Sequence, residues 1–103
     1  MKIDLHVHCR ERSACAVSSA DEMIATARGS GLDGIAFSDH DCLAPTDWLE
    51  LKRREVAPFK IFTGIEVTTI EGEHVLVIGL RDTTLENRTW SYLGLRARAR
   101  DGG

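Results

Sequence analysis

Residues 2–8 read Lys-Ile-Asp-Leu-His-Val-His, a stretch in which polar and apolar side chains alternate. A period of two predicts a β-strand with its apolar residues on one face and Asp4, His6 and His8 on the other. On such a strand the imidazoles of His6 and His8 project from the same face, so both can bind one ion. Asp4 either accepts a hydrogen bond from one of these imidazoles or is a solvated carboxylate. The alternative is a polar surface strand whose histidines are incidental.

A helix and a second strand follow this stretch. Ser19 and Glu22 have the spacing of a capping box, and the break Gly29-Ser30-Gly31 ends the helix. Residues 33–38 then form a short apolar strand that leads into Asp39-His40-Asp41. Parallel α/β folds place ligands and catalytic groups at such carboxyl ends of buried strands. His40 is therefore a candidate functional residue.

The rest of the chain continues this alternation of helix and strand. A second helix begins near Pro45 and ends at Pro58, and residues 60–66 form a third strand. The turn Glu71-Gly72-Glu73 leads into a fourth strand at residues 74–80. The order β-α-β-α-β-β predicts an α/β fold with a largely parallel sheet or barrel, in which the last two strands are antiparallel.

Two further candidate residues, Glu66 and His74, lie at strand ends. Glu66 ends the third strand, and Gly64 beside it lets a neighbouring group or a ligand approach closely. His74 begins an apolar strand, and a buried histidine that is hydrogen-bonded to a backbone carbonyl is the alternative for it. Because all four histidines and Glu66 lie at or near strand ends, we expect one shared site.

The composition is that of a single globular domain, since 43% of the 103 residues are hydrophobic and 28% are charged. The net charge of -3 argues against nucleic-acid binding through a broad basic surface but is compatible with a small anionic substrate. No run approaches the roughly 18 apolar residues of a membrane helix, and the N-terminus lacks the apolar block of a signal peptide. We therefore expect a cytoplasmic protein with no membrane partner.

The three cysteines, Cys9, Cys15 and Cys42, provide neither a complete disulfide set nor the paired spacing of a zinc ribbon. We expect them to be reduced, half-buried small residues. The alternative for Cys9 or Cys15, which are close in sequence to two histidines, is a thiolate ligand or nucleophile.

Four stretches of the sequence together resemble the PHP (polymerase and histidinol phosphatase) family: DLHVH at 4–8, GLDGIAFSDHD at 31–41, FTGIEVTT at 62–69 and HVLVIGL at 74–80. The resemblance implies the N-terminal half of a distorted (β/α) barrel with mostly parallel strands. It also implies a common metal site, whose ligands are the HxH pair His6 and His8, the DH-motif His40, the GxE-motif Glu66 and the later His74.

In the family these positions bind two or three divalent ions, often zinc, manganese or iron, that hydrolyse phosphate esters. Mixed imidazole and carboxylate donors suit the same three metals on chemical grounds. The resemblance therefore implies a metal-dependent phosphoesterase that cleaves phosphomonoester or phosphodiester bonds of a nucleotide or oligonucleotide.

The chain departs from the family pattern after the HxH motif, where family members often carry an aspartate or histidine. Glu11, Ser13 or Cys15 takes this place here, or the ligand is missing. The later family histidines and the DxH motif are absent, and a barrel of this type needs on the order of 200 residues. We expect residues 1–82 to form the PHP-like domain, and residues 83–103 a short helix and a frayed tail.

Two alternatives to catalysis follow from these departures. The first is a truncated metal-binding module with little or no catalysis, which is stable through self-association or a partner that covers the open side of the barrel. The second is a structural α/β fragment without metal, which requires the placement of the histidines to be a coincidence.

Overall fold

The elements of the fold occur in the predicted order. The structure, a computed structural model, describes residues 1–102, and Gly103 of the predicted tail lies outside the described residues. The strands and helices are β1 Ile3–Val7, α1 Ala20–Gly29, β2 Gly34–His40, α2 Thr46–Val56, β3 Lys60–Thr68, β4 His74–Ile78 and α3 Tyr92–Gly102.

The strands form one curled sheet in the order β1-β2-β3-β4. β1, β2 and β3 run parallel, and β4 runs antiparallel to β3. The sheet makes a half-barrel flanked by helices, which confirms the predicted α/β fold with mostly parallel strands. Gly64 of β3 leaves room for a side chain of β4, because a Cβ at this position would lie 2.9 Å from Cδ1 of Ile78.

The helices pack on one face of this sheet. α1 begins at a complete capping box, in which the side chains of Ser19 and Glu22 each accept a hydrogen bond from the other's backbone N–H. One apolar cluster joins α1 and α2 to the sheet through Ile61, and a second joins α3 to it through Ile65. Because these two residues are an even number of positions apart on β3, both clusters lie on the same face. The opposite face is left for the polar residues.

β1 departs from the predicted alternation. Its pairing with β2 shifts register between Asp4 and Val7. Val7 is 3% exposed whereas Leu5 is 47% exposed, so the prediction of one continuous apolar face is wrong for Leu5. Among the described strands β1 pairs with β2 alone, which leaves its outer edge open.

The C-terminal segment is helical where a frayed tail was predicted. Helix α3 extends to Gly102, and its Leu95 is fully buried. Leu95 and Ala99 are four residues apart and face the same apolar cluster, so the Arg-Ala alternation of the sequence conceals a helical stripe. Residues 83–85 form a 3-10 turn in place of the helix expected after residue 82. Within residues 1–102, each helix is too short or too polar to cross a lipid bilayer.

Candidate metal centre

Four histidine rings surround the buried carboxylate of Glu66, whose side chain is 4% exposed. Nε2 of His6 contacts Oε1 of this carboxylate, and Nε2 of His8 lies 3.3 Å from the same oxygen. Nδ1 of His40 and Nδ1 of His74 each lie 3.1 Å from Oε2. The structure thus brings together all five residues that the sequence singled out.

Strand pairing explains why three of these residues meet. His40 of β2 and Glu66 of β3 are register partners at the carboxyl ends of two parallel strands. His74 of β4 pairs with Thr68, two residues beyond Glu66 and on the same face of β3. Its side chain is more than half exposed, so the alternative of a buried structural histidine is wrong.

The chain turns away from the sheet immediately after His40. Asp41 has a left-handed backbone with φ of 54°, a conformation that aspartate adopts more readily than most residues. Its N–H donates to the backbone carbonyl of Glu66 at 3.0 Å. This turn fixes the His40 backbone beside Glu66.

The edge strand β1 contains His6 and is followed directly by His8. Ser38 donates a hydrogen bond to the carbonyl of Leu5 at 3.0 Å, which ties β1 to β2 where the register shifts. The ring of His8 lies between its neighbours, with centroid distances of 5.0 Å to His6 and 4.4 Å to His40. Asp4 is exposed and accepts from the backbone N–H of His6 at 2.9 Å, which favours the solvated carboxylate of the two alternatives for this residue.

Electrostatics at Glu66 favour its charged form. Burial raises the pKa of this carboxyl, but the hydrogen bond from His6 and the charges of His40, His6 and His8 outweigh burial and hold the pKa below its ordinary value. A buried anion that faces several imidazole nitrogens is an attractive site for a cation.

The donor atoms fit a metal ion. Nε2 of His8 is buried without a hydrogen-bond partner in the described chain, as expected for a nitrogen that ligates. Two donors that bind one tetrahedral ion at about 2.0–2.1 Å lie about 3.3 Å apart, close to the 3.3 Å between His8 and Glu66. Imidazole and carboxylate together suit zinc, manganese or iron.

A second buried carboxylate, Asp39, lies next to the site but faces away from it. It accepts hydrogen bonds from the backbone N–H of Cys9 at 2.8 Å, the hydroxyl of Ser13 at 2.7 Å and Nε of Arg12 at 3.0 Å. The Arg12 guanidinium also lies 4.4 Å from the ring centre of Trp48 in α2. Sequence analysis missed this network; its signal was an acidic residue on the apolar face of a buried strand.

The loop between β1 and α1 contains the three candidates for the missing ligand. Glu11 accepts from the N–H of the first residue of α1 at 3.0 Å, and Ser13 belongs to the Asp39 network. Ser13 also accepts from the backbone N–H of His40 at 3.3 Å, but of these three side chains Cys15 is the one described beside a histidine ring, with Sγ 3.5 Å from Nδ1 of His8. Donor atoms of Cys15, His8 and His40 all lie within 4.8 Å of one another.

The three cysteines differ in burial, although all were expected to be half-buried. That expectation is confirmed for Cys42 and wrong for Cys9, which is fully buried, and for Cys15, which is exposed. Burial raises the pKa of the Cys9 thiol to about 11, so this residue stays protonated at neutral pH.

Two of the surface hollows lie at opposite ends of the parallel strands. A cleft of about 390 Å³ opens beside His6, His8 and Cys15. A larger hollow of about 530 Å³ lies around Asp33 and Lys60, at the amino ends of β2 and β3. The larger one contains none of the histidines, so the smaller cleft is the one that adjoins the candidate metal centre.

Comparison with known proteins shows the family of this chain. A family model for the PHP domain matches residues 4–92. A protein from Haemophilus influenzae (strain ATCC 51907 / DSM 11121 / KW20 / Rd) named 5'-3' exoribonuclease is 34% identical over 80 residues. The match covers 77% of this chain but 28% of that relative, so the chain spans less than a third of the relative's length. The family match covers most of the sequence and includes Glu66 and the four histidines around it. The chain belongs to the PHP domain family.

Proposed function

We propose that this chain carries a metal-dependent phosphoesterase site that cleaves phosphomonoester or phosphodiester bonds of nucleotides or oligonucleotides. The observation that carries the proposal is the convergence of four histidines on the buried carboxylate of Glu66. Membership of the PHP domain family and a relative named as an exoribonuclease support the same reaction class.

The residues that would hold the metal are those gathered around Glu66: His6, His8, His40, Glu66 and His74. We propose two or three divalent ions drawn from zinc, manganese and iron, because the donors are imidazoles and a carboxylate. When bound, such ions activate water as a nucleophile and neutralise charge on phosphate oxygens.

The side chains of the site differ in solvent exposure, and we propose different roles for the buried and the exposed ones. Glu66 is buried, so its negative charge attracts the cation that the imidazole rings would bind from the protein side of the site. His6 and His74 are more than half exposed and border the solvent side of the site. A phosphate group therefore approaches from that side, where the exposed imidazoles can also donate hydrogen bonds to its oxygens.

The substrate that fits best is a short, flexible nucleic-acid end. The relative named 5'-3' exoribonuclease suggests RNA with a free 5' end. The net charge of -3 disfavours a long duplex held by a broad basic surface, whereas a nucleotide or short oligonucleotide needs only local contacts.

The test compares Glu66→Gln with Glu73→Gln, which removes the same charge from an exposed turn. Both variants and the parent are loaded with manganese or zinc and assayed on a short 5'-phosphorylated RNA and on a generic phosphoester. We expect Glu66→Gln to lower turnover and bound metal by about 100-fold or more, since even outer-shell partners change metal affinity by about 10–100-fold. Equal effects of the two substitutions would contradict the proposal.

A second candidate function is a metal-binding module that hydrolyses little by itself and needs self-association or a partner. The exposed Leu5 on the open edge of β1 favours it, because an uncovered edge strand invites pairing with another chain. A parent protein that binds metal but leaves both substrates intact would select this candidate. A cytoplasmic location stays a prediction under both functions.

A further inference from the structure

The structure assigns Cys15 to the metal centre: we infer that its thiolate is a ligand of an ion that His8 and His40 hold, which makes this part of the site a mixed sulfur and nitrogen site selective for zinc. This inference rests on the proposed metal site, and it adds a donor from outside the set of four histidines and Glu66.

Geometry is the first support. A nitrogen at about 2.0–2.1 Å and a sulfur at about 2.3 Å from one tetrahedral zinc ion lie about 3.6 Å apart. The distance from Nδ1 of His8 to Sγ of Cys15 is 3.5 Å. His40 contributes a third donor atom within 4.8 Å of both. His8 and Cys15 lie between β1 and α1 whereas His40 ends β2, so the approach of the three residues is not a product of sequence proximity alone.

The two ring nitrogens of His8 face different groups. Nε2 lies 3.3 Å from Glu66, and Nδ1 lies on the side of Cys15. A neutral imidazole binds an ion through one of its two nitrogens, so our inference assigns His8 to the ion of Cys15 through Nδ1 in place of Nε2. The cleft of about 390 Å³ opens beside the same thiol, so solvent and metal ions have access to it.

The loop places Cys15 by contacts that the metal does not provide. Arg12 and Ser13 are both anchored to Asp39, and the N–H of Ala16 donates to the carbonyl of Ser13 at 3.1 Å. These bonds fix the backbone on either side of Cys15. A donor that is held in position before the ion arrives loses less conformational entropy on binding.

The chemical consequence is a preference among metals. Thiolate is a soft ligand that suits zinc, whereas manganese favours oxygen donors. Changing Cys15→Asp replaces sulfur by a hard oxygen donor of the same charge. We expect this variant to weaken zinc binding by at least about tenfold relative to manganese, since smaller outer-shell changes already alter affinity by about 10–100-fold.

The decisive experiment is X-ray absorption at the zinc edge on the full chain after excess zinc has been removed. We expect a sulfur scatterer at about 2.3 Å in the parent, its loss in Cys15→Ser, and its retention in Cys42→Ser. Because Cys15 is exposed, its replacement leaves the core intact. Circular dichroism of each variant checks the fold.

The outcomes separate this inference from the proposed function. A zinc shell of nitrogen and oxygen alone in the parent, or a sulfur shell that persists in Cys15→Ser, overturns the role of Cys15 while the histidine and Glu66 site stands. In that case the thiol is only a hydrogen-bond partner of His8. A parent that takes up no zinc overturns both. A sulfur shell without phosphoester hydrolysis supports the inference and contradicts the proposed function.

Discussion

Glu66 and Asp39 are two buried carboxylates on neighbouring strands, and they differ in what surrounds them. Asp39 meets N–H and O–H donors from Cys9, Arg12 and Ser13, so its hydrogen-bonding capacity is met by the protein itself. The described neighbours of the Glu66 carboxylate are imidazoles, which can exchange a proton for a metal ion. Burial of a carboxylate is therefore not enough to indicate a functional site. The chemical type of the groups that contact the carboxylate is the more informative signal.

The largest expected effect is the loss of bound metal when the imidazoles of His6 and His8 are removed. Changing His6→Ala and His8→Ala together takes two of the four rings from Glu66, so we expect bound transition metal to fall to background. Elemental analysis of untagged protein measures this, with Glu73→Gln as a matched preparation. Unchanged metal content in the double variant would mean that Glu66 is no more a metal site than Asp39.

The next effect is on the free energy of unfolding and tests the other buried carboxylate, Asp39. Asp39→Ala leaves the Arg12 guanidinium buried without its partner, and loss of one member of a buried pair costs about 3–5 kcal/mol. Asp39→Asn keeps an acceptor oxygen and should cost less. Urea denaturation of metal-free protein gives both values. Glu66→Gln should change the same free energy of unfolding much less, and an equally large loss there would remove the distinction between the two acids.

A moderate effect concerns the open edge of β1, on the side of the sheet nearest His6. We predict that the parent chain self-associates, because Leu5 is 47% exposed and the backbone beyond it is unpaired in the described sheet. Leu5→Lys places a charge on that edge and should shift light scattering towards a monomer. Exposed Val17, outside the strands, is the control site for a Val17→Lys variant. A monomeric parent protein would contradict this prediction, because it would show that the open edge of β1 does not pair with another chain.

The smallest effect belongs to a third carboxylate, Asp82, which is partly buried and paired by hydrogen bonds. The Arg98 side chain and Thr84 hold the pKa of Asp82 well below its usual range. A lowered folded-state pKa gives stability that is complete above the ordinary aspartate pKa of about 3.9 and is lost as the pH falls through the folded-state value. Asp82→Asn should therefore unfold at slightly lower urea than the parent at pH 6, and the difference should shrink on acidification below pH 4. A difference between the two urea midpoints that stays constant with pH would show that the lowered pKa of Asp82 is not its cause.

The sequence predicted the convergence on Glu66 because strand periodicity and strand ends are local signals. His6 and His8 share a face through a period of two, while His40 and Glu66 follow apolar runs that end at the same edge of a parallel sheet. Their role as ligands stays a proposal. The relative positions of His74 and Glu66 followed from the short turn between β3 and β4.

What the sequence could not predict depends on contacts between distant segments. The position of Cys15 is set by a loop without periodicity, whose anchors on Asp39 lie more than 20 residues away. The exposure of Leu5 follows from a register shift that the alternating sequence does not reveal. Helix α3 was missed because its burial rests on the pair Leu95 and Ala99 within an arginine-rich segment.

The contact between Arg12 and Trp48 bears on how firmly one wall of the candidate site is held. Arg12 belongs to the same loop as Cys15, and it is held both by Asp39 and by the aromatic ring of helix α2. Lifting that loop would uncover a charged pair and an aromatic face in one step, so we expect the loop to stay in place as a wall of the site. Under the proposed function, substrate and product would pass beside this wall, where the exposed rings of His6 and His74 border the solvent.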